Sequence, residues 1–145
     1  MLSETASVVD DLNRMLEAER GEAEAVKVFL EGLPPADADI AESGKDVLTT
    51  ASWSCSGLYH RIVQMGGVAT LESGDAAERL AEIDGTKSRL EFLCKSQREH
   101  EEMIRAVLAR RGLDGPTRDF LKELLRAHEE TATWCRDTLM EWEHD

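Results

Sequence analysis

The sequence contains no apolar run that approaches the roughly 20 residues needed by a membrane-spanning helix. Its opening stretch, MLSETASVVD, also lacks the basic segment and the long apolar segment of a signal peptide. From these two absences we expect a protein that does not enter a membrane and that is located in the cytoplasm.

Basic residues are scarce. The chain has 17 Lys and Arg residues against 30 Asp and Glu residues, so its formal net charge is −13. Nucleic acids and anionic lipids are bound through Lys and Arg, which replace counterions, and an acidic surface repels both. We therefore expect no nucleic acid partner and no membrane partner. The negative charge is typical of a small protein that stays in solution by self-repulsion.

Cysteine is also rare. The three thiols, Cys55, Cys94 and Cys135, lie about 40 residues apart, and no C-x-x-C motif is present. This spacing predicts neither a zinc site nor a disulfide framework, and each cysteine falls within a helical pattern, so we expect buried free thiols. The glycine-rich phosphate loop and the G-x-S-x-G motif of hydrolases are missing as well.

What the sequence does contain is a helical pattern. With 145 residues, 41% of them hydrophobic, the chain is long enough for one domain with a sizeable core, and we assign residues 1–145 to it. Apolar residues recur every three or four positions, and no stretch alternates convincingly at period two. Capping and turn residues then predict four helices, over about 7–30, 37–66 (with an alternative start at 39), 76–111 (with an alternative break at IDGT) and 116–142.

The stretch GGVATLESGD between the second and third predicted helices is longer than a tight turn between antiparallel neighbours requires. Such a connection can run along a bundle and set the third helix parallel to the second. We therefore expect an all-α fold with a crossover between helices 2 and 3.

Three of the predicted helices carry a hydrogen-bonding residue near the middle of their apolar seam: Glu19, Gln97 and His128. Burying a charge or an amide without a partner costs several kcal/mol, so such residues normally meet each other or a ligand. They lie at comparable depths along their helices. The pattern predicts that they meet in one layer of the bundle.

The segment LNRMLEAERGEA resembles the first helix of the ferritin-like superfamily, in which L-x-x-x-L-x-x-E places the first metal ligand at the position of Glu19. The stretches ASWSCSGLYHRIVQMGG, LEFLCKSQREHEEMIRAVL and LLRAHEETATWC are similar to a little-characterised branch of small bacterial ferritin-like proteins. The resemblance covers about residues 8–140. It implies a ferritin-like four-helix bundle with the crossover described above, and a homodimer formed side by side.

The resemblance also implies where a di-iron or di-manganese site would lie. Such a site takes one glutamate from each of two helices and a Glu-x-x-His pair from each of the other two. At the matching positions, only Glu19 and His128 retain a ligand type, and Gln97 is a neutral third. The remaining positions hold Thr50, Trp53 and Leu125. Most of a dinuclear ligand set is therefore replaced.

These substitutions favour a first hypothesis, in which the protein lost the metal and became a non-enzymatic binding or regulatory module without a cofactor. Glu19, Gln97 and His128 would then form a hydrogen-bonded cluster. An alternative keeps iron or manganese at Glu19, Gln97 and His128, with oxidase or storage-type chemistry. A single ion at these three residues would be held if Glu22, Glu101 or Glu129 also turned towards it. A third hypothesis is a small-molecule pocket at the bundle centre with Trp53 as a wall. Whether the protein is an enzyme stays open at this point.

Other polar residues are expected on the surface. Glu22 and Glu24 are predicted to face solvent, with basic residues nearby at helical spacing. His100 lies in the run REHEE, which predicts a charged outer face, and His60 lies off the apolar seam of its helix.

Overall fold

The described part of the chain, residues 2–144, forms five α-helices and no β-strand in a computed structural model, in which side chains are described for residues 4–142. The helices are α1 (Leu2–Glu31), α2 (Ala38–Gln64), α3 (Ala76–Ala81), α4 (Thr86–Leu108) and α5 (Gly115–His144), with a single 3-10 turn at Pro35–Asp37. The all-α prediction is confirmed. The third predicted helix is divided into α3 and α4 at the IDGT sequence.

Local residues explain where the helices begin and end. Gly85 adopts a positive φ of 92°, a conformation that other residues avoid, and it separates α3 from α4. Asp114 precedes α5, and its Oδ1 accepts a hydrogen bond from the backbone N–H of Thr117 at 2.7 Å. This is an N-cap interaction, which satisfies one of the free N–H groups of the first helical turn.

The helix α1 is the most enclosed element, because α2, α3 and α4 all pack against it. Gly44 near the start of α2 packs against Leu30, and Gly67 just after α2 packs against Val9. These contacts show that α2 runs antiparallel to α1. The remaining helix, α5, packs against α4 and α2.

The connection from α2 to α3 returns along the surface of α1. The Asn13 side chain donates to the carbonyl of Val68 at 3.0 Å and accepts from the N–H of Thr70 at 2.8 Å. About two turns further along α1, Arg20 donates to the carbonyl of Thr70 at 2.6 Å. The connection is therefore held by side chains of α1 over several residues, and it brings the chain back towards the other end of that helix.

Glycine allows this connection to approach α1 closely. The N–H of Gly74 donates to the carbonyl of Glu17 at 2.8 Å, and a Cβ placed on Gly21 would lie 2.9 Å from the carbonyl oxygen of Gly74. Any side chain at position 21 would meet backbone there. This close packing explains a glycine in the interior of a long helix, where it otherwise costs about 1 kcal/mol relative to alanine.

The end of α4 lies against the first turns of α1. Arg110, just after α4, donates to Ser7 Oγ at 2.5 Å and forms an ion pair with Asp11. Because Arg89 at the start of α4 lies beside Gly32 at the other end of α1, α4 runs antiparallel to α1. It therefore runs in the same direction as α2.

The buried residues form two apolar clusters separated by a polar layer. The first cluster contains Val8, Leu12 and Leu16 of α1 with buried residues of α2, α4 and α5. The second contains Ala25, Val26 and Phe29 of α1 with residues of α2 to α5. On α1 the interval between the two clusters is occupied by residues 19–22.

The three cysteines are free thiols, as predicted. Cys94 and Cys135 are buried, while Cys55 is half-buried. Burial and the nearby Glu19 carboxylate raise the pKa of the Cys55 thiol to about 11, so it is protonated at neutral pH. Among the described helices, none combines the length and the apolar character that a membrane crossing would require.

Candidate metal centre

The layer between the two apolar clusters contains five buried side chains that carry a carboxylate, an amide or an imidazole group. Glu19 and Glu22 come from α1, Gln97 and His100 from α4, and His128 from α5. The two residues from α1, and likewise the two from α4, are three positions apart in the sequence. This spacing places both side chains of a pair on the same face of their helix. Three helices thus direct their polar residues to one point.

His128 is bonded on both sides of its ring. Its Nδ1 lies 2.6 Å from Gln97 Oε1, and its Nε2 is hydrogen-bonded to Glu19 Oε1. Because the amide and carboxylate oxygens only accept, both ring nitrogens act as donors in this arrangement. The structure therefore brings together Glu19, Gln97 and His128, as the sequence pattern predicted.

His100, the second residue that α4 contributes to this layer, belongs to the same cluster. Its Nδ1 lies 3.0 Å from Glu22 Oε2 and 3.6 Å from Glu19 Oε1. The rings of His100 and His128 meet edge to face, with 5.2 Å between their centroids. Two histidines and two carboxylates are thus in mutual contact.

Four of the five residues can act as a ligand set. One ligand atom from each of Glu19, Glu22, His100 and His128 lies within 4.8 Å of the other three, and all four residues are buried. We call these residues the Glu2His2 cluster. It contains two of the residues predicted from sequence and two that the sequence analysis assigned to the surface.

The surface assignment of Glu22 was wrong. Its side chain is 3% exposed, whereas Glu24 is exposed as predicted. Since α1 packs against three other helices, it buries a wider sector than a single apolar seam. The signal that marks this second stripe is the seven-residue spacing of Met15, Glu22 and Phe29, all of which are buried.

The assignment of His100 to a charged outer face was also wrong, since it is 8% exposed. The buried face of α4 runs through Leu93, Gln97, His100, Ile104 and Val107, an unbroken spacing of three and four residues. The neighbouring residues Glu99 and Glu102 are exposed, and their charges make the run REHEE look like a solvent-facing segment. His60 is exposed, as predicted.

The helix α2 contributes no metal-ligating side chain to the layer among its described residues. It faces the Glu2His2 cluster with Thr50, Ala51 and Ser54. Trp53, expected as a pocket wall, is instead 40% exposed and packs on Phe120 with 5.3 Å between ring centroids. The central cavity beside the cluster is only about 10 Å³, which is room for about one water molecule.

The contacts within the cluster change the ionisation of its members. Burial alone would raise the pKa of Glu19, but the nearby His100 ring and the hydrogen-bonded His128 ring lower that pKa to about 2. Burial opposes the charged form of both histidines, yet the carboxylates outweigh it. The pKa of His100 is raised well above its ordinary value, chiefly by the charge of Glu22, and the pKa of His128 is raised by the hydrogen bond to Glu19.

Two oxygens in the cluster lack a protein partner. Glu19 Oε2 and Glu22 Oε1 are buried and accept no hydrogen bond, and His100 Nδ1 is near Glu22 without the alignment of a hydrogen bond. Leaving such groups buried costs about 1–3 kcal/mol each, and more when they are charged. Their position within a possible ligand set indicates that they are available to bind a cation.

The metal-free protein is expected to be most stable at weakly acidic pH. The pKa of Glu19 is about 2 when folded against an ordinary 4.5, so its contribution is present above pH 4.5 and is lost as the pH falls towards 2. The histidine pKa values are raised above the ordinary 6.5, so their contribution is present below pH 6.5 and is lost as the pH rises through the folded values. Urea unfolding with a chelator from pH 2 to 9 measures this profile.

A free energy of unfolding that increased steadily from pH 6 to pH 9 would contradict this assignment of charges. The matched variants are His100→Gln in the cluster and His60→Gln on the surface. Only His100→Gln should reduce the loss of stability at alkaline pH, because His60 is exposed.

Comparison of the chain with protein-family models, with curated proteins and with solved structures finds no match.

Proposed function

We propose that this protein binds a single divalent metal ion, iron or manganese, through Glu19, Glu22, His100 and His128. The observation that carries the proposal is the convergence of these four ligand types from three helices in a buried layer. Exposed acidic groups often gather on a surface without a metal. Two carboxylates and two imidazoles buried together are costly unless the charges are balanced.

The spacing of the donor atoms is compatible with one ion. Ligands about 2.1 Å from a six-coordinate metal ion are about 3.0 Å apart when they are adjacent and about 4.2 Å apart when they are opposite. The distances from His100 Nδ1 to the two carboxylates, 3.0 and 3.6 Å, lie within that range. The largest separation of 4.8 Å requires a small contraction around an ion.

The identity of the donors favours iron or manganese. Imidazole suits iron, copper, nickel and zinc, whereas carboxylate oxygens suit harder ions such as manganese. No thiolate belongs to the cluster, since the described cysteines lie outside it. Four protein ligands leave two positions open on an ion that prefers six. These positions would allow a bound ion to take a small oxygen ligand.

Gln97 is assigned the role of orienting His128 rather than binding the ion. When the Nδ1–H of His128 donates to Gln97 Oε1, its Nε2 is the nitrogen that remains for a metal. A hydrogen bond of this kind fixes the ring orientation of many metal-binding histidines. The proposed set therefore replaces the predicted Glu19, Gln97 and His128 with four ligands and one supporting amide.

We assign the fold to the ferritin-like four-helix bundles as part of the same proposal. It is supported by the parallel direction of α2 and α4, by the connection that returns along α1, and by metal-ligand types on α1, α4 and α5. A dinuclear centre is disfavoured because α2 faces the layer with Thr50 and Ser54. The expected homodimer stays a prediction.

A second candidate is the non-enzymatic binding or regulatory module without a metal. It is favoured by the charge balance of the cluster, in which two histidines with raised pKa values compensate two carboxylates. In that case the two protons would take the place of the ion. Metal binding would require their release, so affinity should increase with pH.

Metal titration distinguishes the two candidates. Metal-free protein dialysed against Mn²⁺, or against Fe²⁺ without oxygen, is expected to retain one ion per chain in elemental analysis. At an ion concentration of about 100 times Kd, the free energy of unfolding should increase by about 2.7 kcal/mol. The physical reason is that the unfolded chain does not hold the four ligands together.

The site variant for this titration is Glu22→Gln with His100→Gln. Its matched control is Glu24→Gln with His60→Gln, which changes the same residue types at exposed positions. The control should bind one ion and the site variant should not. Absence of a retained ion in the unmodified protein would support the metal-free candidate. Equal retention of an ion by both variants would contradict the assignment of Glu22 and His100 as ligands.

A further inference from the structure

The helices α2 and α5 leave a gap that leads from the surface to the Glu2His2 cluster. An outer cavity of about 250 Å³ lies between them, and the central cavity of about 10 Å³ lies against the cluster. The two cavities share the lining residues Val47, Thr50, Ala127 and Thr131. The two cavities are therefore neighbours that lie on either side of the same four residues.

Oxygen atoms follow this gap from its mouth to its end. Asp46 on α2 and Glu130 on α5 line the outer cavity, and both are exposed. Thr50 and Thr131 lie at the boundary between the cavities. Glu22, which is 3% exposed and has an unpartnered Oε1, lines the inner cavity. Oxygen atoms arranged along a path in this way can replace the water molecules around a cation one after another.

One hydrogen bond across the gap marks its outer edge. Trp134 Nε1 on α5 donates to Ser43 Oγ on α2 at 2.8 Å. Both residues line the outer cavity. This bond joins the two helices at the side of the mouth and leaves Asp46 and Glu130 beside the opening.

A second cavity reaches the cluster from the opposite side but has a different charge. It measures about 220 Å³ and is lined by His100 together with Arg79 and Lys95. Two carboxylates, Asp75 and Glu99, also line it and offset these cations. The described residues that line the gap between α2 and α5 include two carboxylates and no Lys or Arg. Of these two cavities, the gap has the lining that favours a cation.

We propose that the gap between α2 and α5 is the route by which the metal ion reaches the Glu2His2 cluster, with Asp46 and Glu130 as the groups that capture it. This inference rests on the proposed function. A mouth lined by one sign of charge raises the local concentration of the opposite ion and can increase association rates by about 10- to 1,000-fold. The capture groups act on the rate of binding, while the buried ligands set the affinity.

The test is the rate of Mn²⁺ uptake by the metal-free protein in stopped flow, with a fluorescent indicator that reports free Mn²⁺. The variant Asp46→Asn with Glu130→Gln is expected to take up the ion about tenfold more slowly at low salt. The difference should shrink at about 1 M salt, where the Debye length is about 3 Å. Both substitutions are at exposed positions and leave the buried ligands intact.

The matched control is Asp119→Asn with Glu123→Gln, which changes the net charge equally at exposed positions elsewhere on α5. It should load at the rate of the unmodified protein.

A third variant, Ala127→Leu, adds bulk where the two cavities meet. It is expected to slow uptake and release together and so leave Kd nearly unchanged.

The outcomes separate this route from the function on which it depends. Failure of the unmodified protein to take up Mn²⁺ would overturn the metal proposal and the route with it. Stoichiometric uptake with equal rates in the mouth variant and its control would overturn the route alone. Slower uptake in the mouth variant, with an unchanged number of ions bound, supports the route.

Discussion

The His128→Ala variant of the metal-free protein is expected to lose about 3–5 kcal/mol of its free energy of unfolding. Removing the ring leaves Glu19 Oε1 without its hydrogen bond and leaves Gln97 Oε1 without a donor. Both partners are buried, so water cannot replace the lost contacts without opening the layer. The loss should therefore exceed that of an alanine substitution that only creates space.

Urea unfolding at pH 6 in the presence of a chelator measures this effect. His60→Ala is the matched control, and because His60 is exposed its change should stay within about 0.5 kcal/mol. Adding Glu19→Gln to His128→Ala should recover part of the loss, because the unpaired charge is removed. A loss below about 1.5 kcal/mol in His128→Ala would show that the pair contributes little to stability. The same conclusion would follow if the double variant lost the sum of what Glu19→Gln and His128→Ala lose separately.

The second large effect is expected on metal affinity. His100→Ala should weaken Mn²⁺ binding by more than about a hundredfold, since it removes a proposed ligand, whereas Gln97→Ala should weaken it by about 10- to 100-fold as a supporting residue. Competition against a chelator of known affinity measures both constants. The order of the two effects distinguishes the four-ligand set from the three residues predicted by the sequence.

An intact affinity in His100→Ala together with abolished binding in Gln97→Ala would favour the original set of Glu19, Gln97 and His128. The Gln97→Glu variant adds a further comparison. A carboxylate at that position would still accept the hydrogen bond from His128 Nδ1, so it should restore more of the affinity than alanine does.

Several parts of the fold could be predicted from the sequence because they depend on neighbouring residues. The break at IDGT, the start of α5 after Asp114 and the end of α1 before Pro34 all follow from capping, glycine conformation or proline. The meeting of Glu19, Gln97 and His128 was also predictable, since each interrupts an apolar seam. An interrupted seam signals a buried polar contact whatever the packing of the helices.

Glu22 and His100 could not be assigned in the same way. A helix pattern shows which residues are able to face a core, but it does not show how many neighbours a helix has. The enclosure of α1 by α2, α3 and α4 buries a second stripe of that helix, and Glu22 lies in it. On α4, His100 and the next residue, Glu101, point in directions that differ by about 100° around the helix axis, and the spacing alone does not decide which of them faces inward.

The sequence by itself determined the all-α class, the approximate helix limits and three of the five residues in the polar layer, because these follow from spacing along one chain. Only the tertiary structure decided the full Glu2His2 cluster and the gap that leads to it. A ligand set depends on how three helices are rotated about their axes, so that their side chains point to a common place. A route depends on where two helices do not pack closely against each other. Both are properties of packing between distant segments, which the pattern within a single helix does not contain.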